Sequence, residues 1–250
     1  ANSEQQWMIV AELNQDSAHV SNTNYFLQNT TNIEALVESD ISVGTNDLKK
    51  KVSSADGFQL TNTDLCYARH YSNTLYNIMR GGIFTDNYQV EISDFKIYLQ
   101  QINRNLSEKY NFWINIFPEK VSYIELIQKA KETGNNDLIR ITYEYLPLTF
   151  SRRHGDPSRP WNLFSIETKN EDGSVKYNYQ GNWRDIFQNW EALAYSFPEY
   201  IEGMISKFVN ASTIDGYNPY RIMRDGIDWE SPDPDDPWAY IGYWGDHQII

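Results

Sequence analysis

Apolar residues recur at helical spacing in several stretches of this 250-residue chain, and glycine or proline marks the ends of most of them. Residues 65–80 form one such stretch ahead of Gly81, and residues 94–110 form another. Residues 183–196 and 199–209 predict two further helices. Because long loops follow helices rather than strands, the pattern indicates helical hairpins that present their loops at one end. We therefore predict a mostly α fold that is part of an (α/α) toroid.

Two more helices are predicted in the middle of the chain. Pro118 suits the first turn of one, and Gly134 suits its end. Its apolar stripe consists of Val121, Ile124, Ile127 and Ala130. Asn136 can cap the next helix, which is predicted to continue to about residue 146. Residues 166–179 indicate a small β-hairpin around an Asp-Gly turn.

The two ends of the chain predict how it is divided. Residues 1–60 are polar and rich in Asn, Ser and Thr, which predicts a largely irregular linker or N-terminal extension in which residues 32–38 can form a short helix. Residues 61–250 carry the helical stretches and are predicted to form one helical domain. Ile249 and Ile250 provide neither a cap nor a stop signal. We therefore expect a truncated helix there and a domain completed by further residues of the same protein.

The net charge of −13 argues against nucleic acid and against an anionic membrane surface as partners, since both require clustered Lys and Arg. No apolar run approaches the roughly 18 residues that a membrane span needs. The single cysteine, Cys66, excludes an internal disulfide, and its apolar helical context predicts burial. The four histidines lack zinc-site spacing, so no metal is expected. The compartment stays open between cytoplasm and periplasm.

Aromatic residues make up 15% of the chain, including 18 Tyr and 8 Trp. Their rings have a flat apolar face and a polar edge, which suits both the C–H face and the hydroxyl rim of a sugar. The alternative is a large aromatic core.

Residues 151–161 form a loop with three arginines within eight residues, unusual in an acidic chain. Guanidinium groups bind phosphate or carboxylate through paired hydrogen bonds, so Arg153, His154 and Asp156 are candidate ligand-binding residues. The alternative is a structural network in which the arginines pair with neighbouring carboxylates.

A second candidate site is the run from Gly181 to Asp185. Trp183 offers a stacking face, Arg184 a donor fork and Asp185 an acceptor, a set that matches adjacent sugar hydroxyls. Asp185 also suits a helix cap. Residues 215–238 predict a long irregular acidic loop whose spacing does not fit an EF-hand.

A third candidate is Asp246, which follows Tyr243 and Trp244. A carboxyl packed between aromatic rings loses solvent, which raises its pKa and suits it to donate a proton as a general acid. Trp244 and the adjacent His247 are candidate substrate contacts. The alternative for Asp246 is a helix cap, and a helix N-terminus would oppose the shift in its pKa.

Together these motifs in residues 181–250 resemble a segment of the cellobiose and chitobiose phosphorylases, which are inverting (α/α)6-barrel enzymes. That family has a Gly-rich turn with Arg-Asp, then an Asp-Gly turn, then a loop ending in Gly-Phe-x-Asp-Asp. Here residues 181–185, 213–216 and 242–246 match these elements. Gly245 and His247 depart from the family's Asp and Pro.

The resemblance implies that residues 61–250 are the N-terminal part of an (α/α)6 catalytic domain acting on oligosaccharides with inversion. Arg184 and Asp185 would hold hydroxyls beside the cleaved bond, and Asp246 would be the general acid. No cofactor is implied, but inorganic phosphate would be the co-substrate of a phosphorylase, whereas a hydrolase would activate water. The expected partners are an oligosaccharide, the remainder of the barrel and, as an option, a second copy of the chain. The alternatives are a non-catalytic carbohydrate-binding module and a helical scaffold.

Overall fold

The computed structural model describes residues 4–5, 7–11, 15–84, 86–149, 170, 174–229 and 234–235. The protein is mostly helical with small antiparallel β-pairs, which confirms the predicted fold class. A complete (α/α)6 ring stays a prediction. None of the described helices is both long and apolar enough to cross a membrane.

The chain divides into two compact units, Ala1–Lys49 and Lys50–Ile250. The first unit contains α1 (Ser17–Asn29) and most of α2 (Ile33–Ser54). The predicted irregular structure of the first 60 residues is therefore wrong for α1 and for the part of α2 beyond the predicted short helix of residues 32–38. Asp16 supplies a start signal by accepting a hydrogen bond from the backbone N–H of His19 at 2.8 Å. Polar residues of modest helix propensity cost only tenths of a kcal/mol each, so this composition does not prevent a helix.

The second unit begins with the last turn of α2 and contains the remaining elements in chain order. Its helices are α3 (Asp64–Gly81), α4 (Ile92–Ile102), α5 (Arg104–Lys109), α6 (Asn111–Asn115), α7 (Tyr123–Glu132), α8 (Asn136–Glu144), α9 (Trp183–Ser196) and α10 (Ile201–Ala211). Its strands are β1 (Ile83–Phe84), β2 (Gln89–Glu91), β3 (Lys120–Ser122), β4 (Leu148–Thr149), β5 (Gln180–Asn182), β6 (Arg221–Met223) and β7 (Ile227–Asp228). A 3₁₀ turn, Pro198–Tyr200, leads into α10.

Several helix ends follow the sequence signals. α3 ends at Gly82, which adopts a φ of 86° and donates its N–H to the carbonyl of Ile78. α9 has the predicted bounds, and Pro198 opens the segment that becomes α10. At α8 the cap is Asn135, one residue before the predicted one, and its side chain accepts from the N–H of Leu138.

Two predicted boundaries and one predicted buried residue are wrong. The helix expected over residues 94–110 breaks at Asn103, whose side chain caps α5 by accepting from the N–H of Leu106. Pro118 is not in the first turn of a helix, because residues 120–122 pair with β2 before α7 begins. As a result the buried residues of α7 are Tyr123, Leu126, Ile127 and Ala130. Ile124, predicted to belong to that stripe, is exposed.

Two further expectations also differ from the structure. Residues 215–238 are not wholly irregular, since β6 and β7 lie within them. Cys66 is exposed rather than buried. Half of the predicted hairpin of residues 166–179, including its Asp-Gly turn, lies outside the described residues, although Asn170 N donates to the carbonyl of Ser174 at 2.9 Å.

Short antiparallel ladders fix the long connections. β1 pairs with β4 through Ile83↔Thr149 and Phe84↔Leu148. β2 pairs with β3, and β5, β6 and β7 form a three-stranded sheet in that order.

Many of the aromatic residues lie in the core, which agrees with the alternative of a large aromatic core. The ring of Phe84 stacks on Tyr200 at 3.8 Å between centroids, and Tyr123 packs on the same Tyr200 at 4.3 Å. Two of the buried hydroxyls find acceptors: Tyr98 donates to the carbonyl of Glu144 at 3.2 Å, and Tyr123 to that of Tyr143 at 3.0 Å. This use of Tyr combines apolar burial with a satisfied polar edge.

Candidate functional site

β5 runs directly into α9 and carries the Gly181–Asp185 motif to the edge of the three-stranded sheet. The first residue of α9, Trp183, donates its N–H to the carbonyl of Tyr220 at 3.0 Å. The start of α9 is thereby fixed beside β6.

Three polar residues lie in one row across this sheet. Asn182 is the Cα partner of Arg221, and Arg221 is the partner of Asp228. Directly opposed residues of antiparallel strands share a face, so this polar row (Asn182, Arg221, Asp228) presents an amide, a guanidinium and a carboxylate side by side. The opposite face is apolar at Ile222, which is fully buried.

The charged pair in the polar row is only partly shielded from solvent. Arg221 Nη1 lies 3.4 Å from Asp228 Oδ2, and the two side chains are 22% and 45% exposed. The guanidinium also lies 5.8 Å from the centre of the Tyr220 ring. The row is therefore accessible and can both donate and accept hydrogen bonds.

Two buried donors on this face have no hydrogen-bond partner among the described residues. They are Nε of Arg221 and Nε2 of Gln180, which lies two residues before Asn182 on the same side of β5. An unpaired buried donor costs about 1 to 3 kcal/mol. A ligand approaching this face would instead meet the partly exposed guanidinium of Arg221 and the carboxylate of Asp228.

Among the predicted sugar-binding residues, Trp183 is the one whose side chain the structure describes, and its position contradicts the predicted role. Its side chain is only 6% exposed, and its ring packs edge-on against Phe208 at 5.0 Å between centroids. It belongs to the inner face of α9 together with Ile186 and Trp190. The ring therefore contributes to the core instead of offering a face to a sugar.

Arg184 and Asp185 lie in the first turn of α9, next to the polar row, while their side chains lie outside the described part. The remaining predicted residues lie wholly outside the described residues, and their roles stay predictions. They are Arg153, His154, Asp156, Trp244, Asp246 and His247.

The sequence reasoning did not single out Arg221, and it treated Asp228 as part of an acidic loop. The local signal was weak: two short runs, residues 221–223 and 227–228, flank Asp225-Gly226, a dipeptide that favours a hairpin turn. Within the described ranges, no group of three or more His, Cys, Asp or Glu side chains could hold a metal ion.

A buried ionic junction (Asp94, Tyr145, Lys207, Arg224) lies behind the sheet and joins α4 to β6 and α10. Arg224 Nη2 donates to Asp94 Oδ2 at 2.6 Å, and the Tyr145 hydroxyl donates to the same oxygen at 2.6 Å. Lys207 Nζ donates to the carbonyl of Arg224 at 2.7 Å. The junction thus crosslinks segments more than a hundred residues apart in the chain.

Lys207 is the most deeply buried cation of the junction. Its ammonium group lies 5.2 Å from the centre of the Tyr179 ring and 5.7 Å from that of Tyr98. Loss of solvent lowers the pKa of Lys207 to about 8, although the nearby carboxylates of Glu144 and Asp225 oppose the shift.

This depressed pKa predicts a stability that rises with pH. Between about pH 8 and 10 the unfolded chain keeps the proton on Lys207 while the folded chain has lost it, so raising the pH favours folding. We expect the urea-derived free energy of unfolding to increase by about 2 kcal/mol over that range, and Lys207→Met to abolish the increase. The control is Lys129→Met, at a partly exposed site.

Above pH 10 the free energy of unfolding should fall again, because burial raises the pKa of Tyr177 to about 12 and raises that of Tyr98 further. A flat profile from pH 8 to 10 would contradict the prediction.

Part of the chain matches a known protein family. Residues 84–147, which run from the end of β1 to just before β4, match the family model described as glycoside hydrolase family 149 insertion domain 1. No curated protein matches the chain significantly. The family match names the glycoside hydrolases and does not single out the cellobiose and chitobiose phosphorylases. Residues 84–147 are therefore related to an insertion domain of glycoside hydrolases.

Proposed function

We propose that this chain is part of a carbohydrate-active enzyme, a glycoside hydrolase or phosphorylase that cleaves oligosaccharides with inversion. The match of residues 84–147 to a glycoside hydrolase insertion domain supports the substrate class. The observation that carries the proposal is the polar row beside the first turn of α9, in which Arg221 and Asp228 are partly exposed. Vicinal sugar hydroxyls can accept from the guanidinium and donate to the carboxylate.

In this proposal Arg184 and Asp185 extend the polar row and hold the hydroxyls of the sugar next to the cleaved bond. Arg153, His154 and Asp156 form another part of the substrate site. The bond breaks when Asp246 donates its proton to the glycosidic oxygen, with Trp244 and His247 beside it. The attacking group enters from the opposite face of the sugar ring. It is either water, which gives its proton to a carboxylate base, or an oxygen of inorganic phosphate, which needs no base.

The proposal is tested on the full-length protein with a panel of oligosaccharides, each assayed with and without inorganic phosphate. We expect Asp246→Asn to lower kcat by about 10³-fold while substrate binding persists, because a general acid acts in the transition state. Arg221→Ala should raise KM about tenfold, through weaker hydroxyl contacts. The control is Arg104→Ala, whose guanidinium forms an exposed ion pair with Glu108.

Each outcome has a defined meaning. Turnover that requires phosphate supports a phosphorylase, and turnover without it supports a hydrolase. Saccharide binding without any turnover would overturn the enzyme proposal and favour a carbohydrate-binding module. Full activity in Asp246→Asn would remove the assigned general acid, and the absence of any saccharide binding would leave a helical scaffold.

A further inference from the structure

A second polar depression lies between α3 and the C-terminal half of α9. It encloses about 520 Å³. Five of its lining residues carry the argument, and they define the α3–α9 cleft: His70, Asn73, Asn77, Glu191 and Tyr195. From Asn182 in the polar row to Glu191 and Tyr195 is about 14 to 20 Å along the helix axis. The cleft is therefore distinct from the proposed catalytic site.

Close contacts at both ends hold α9, one wall of the cleft, against α3 and against the segment that precedes α3. At one end, a Cβ atom on Gly81 would lie only 2.7 Å from the carbonyl oxygen of Asn189, so α3 and α9 approach closely there. At the other end, the Ser196 hydroxyl donates to the carbonyl of Ala55 at 3.4 Å. The depression is thus a fixed feature of the helix pair.

One wall has a polar stripe with a defined donor and acceptor pattern. His70, Asn73 and Asn77 are spaced by three and four residues and share a face of α3. His70 Nε2 lies 2.7 Å from the carbonyl oxygen of Asp56, so this nitrogen carries the hydrogen. In the neutral ring Nδ1 is then an acceptor. The amides of Asn73 and Asn77 add two groups that both donate and accept.

The opposite wall offers a carboxylate and an aromatic ring. Glu191 and Tyr195 are one turn apart on α9, and Tyr195 is 84% exposed. Within the part of the chain that the structure describes, the side chains of Asn73, Asn77 and Glu191 have no hydrogen-bond partner. Their full hydrogen-bonding capacity is available to a ligand.

The chemistry of the lining selects one class of ligand. Its carboxylates, Asp56 and Glu191, repel anions such as phosphate, and its described lining includes neither Lys nor Arg. Amides and carboxylates form paired hydrogen bonds with adjacent hydroxyls, and an exposed tyrosine ring covers an apolar C–H face. A neutral saccharide has both features.

We propose that the α3–α9 cleft binds a neutral saccharide as a second site, separate from the polar row. This inference goes beyond the proposed function, because the cleft would hold a chain without cleaving it. Binding there can be measured whether or not the protein turns over a substrate.

The test is calorimetric titration of the wild-type protein with maltohexaose, cellohexaose and laminarihexaose, each up to millimolar concentration. We expect at least one of these probes to bind. Tyr195→Ala should weaken that binding about tenfold, and the double variant Asn73→Ala/Asn77→Ala should weaken it at least tenfold. The control, Phe112→Ala, removes an aromatic ring of equal exposure, 83%, from α6 and should bind like the wild type.

Failure of the inference differs from failure of the proposed function. If no probe binds the wild type, or if the folded cleft variants bind with wild-type affinity, the cleft is not a saccharide site. Loss of all binding in Arg221→Ala with wild-type binding in Tyr195→Ala would assign the saccharide to the polar row alone. Binding that depends on the cleft in a protein without turnover would support this inference while overturning the enzymatic one.

Discussion

Replacing Gly203 by alanine is expected to destabilise the protein by about 3 kcal/mol or more, although alanine is the better helix former. A Cβ atom at this position in α10 would lie 2.1 Å from the carbonyl oxygen of Tyr143 and 3.0 Å from the Tyr123 hydroxyl. Those two groups are hydrogen-bonded to each other at 3.0 Å, so neither can move without losing the bond. α10 would have to move away from α8, opening the core around both helices. Urea unfolding of the variant measures the effect.

Gly44→Ala is the matched control for this substitution. Gly44 also lies within a helix, α2, but nothing lies within 4 Å of a Cβ atom added there. The same change should therefore stabilise the protein by up to about 1 kcal/mol, through helix propensity alone. If Gly203→Ala is neutral or stabilising, α10 is not held against Tyr143 as described.

Removing the Asp94 carboxylate is the second change with a large expected effect. Asp94→Ala leaves Arg224 without its ion-pair partner at a site where both side chains are only 15% exposed. The Tyr145 hydroxyl also loses its acceptor, and burial of Tyr145 leaves little access to water. An unpaired charge of this kind costs about 3 to 5 kcal/mol, which should appear as a lower midpoint of urea unfolding at pH 7.

Two comparisons isolate the cause. Asp86→Ala breaks an ion pair with Lys120 of equal length, 2.6 Å, but both partners are at least 40% exposed, so we expect a loss below about 1 kcal/mol. Asp94→Ala/Arg224→Met removes both charges and should recover part of the stability, because the stranded cation is gone. Equal losses for Asp86→Ala and Asp94→Ala would show that burial does not strengthen the Asp94–Arg224 pair.

The helices that could be predicted are those whose signals are local. α9 has a strong apolar stripe and a proline just beyond its end, and its bounds are Trp183–Ser196 as expected. α3 ends at the glycine that the sequence marks. In each case the apolar face and the end signal lie within the helix or directly beside it, so tertiary contacts did not need to be known.

Most of the strands could not be predicted, because each has only two or three residues and most pair with a distant partner. Lys120–Ser122 is extended because it pairs with Gln89–Glu91, thirty residues earlier. The break at Asn103 is similar in kind: a side chain that caps the next helix outweighs a continuous apolar stripe.

The candidate site, like the fold, could be predicted only where local sequence signals determine it. Composition indicated polar and aromatic groups suited to sugars, but it could not tell which rings face solvent. Trp183 was the natural candidate for stacking, yet α9 turns it toward Phe208. Arg221 gains its importance from the register that places it between Asn182 and Asp228, which no local pattern around residue 182 reveals.

The β1–β4 ladder has a consequence for how such a chain can evolve. Because Ile83 is opposed by Thr149, the chain leaves and re-enters the host structure at points only about 5 Å apart. A gene could therefore lose or acquire the whole intervening segment with a turn of two or three residues as the splice. Phe84 and Tyr123 would then no longer cover Tyr200, and Arg224 would lose Asp94, so an ancestor lacking the segment would need different side chains at both remaining positions.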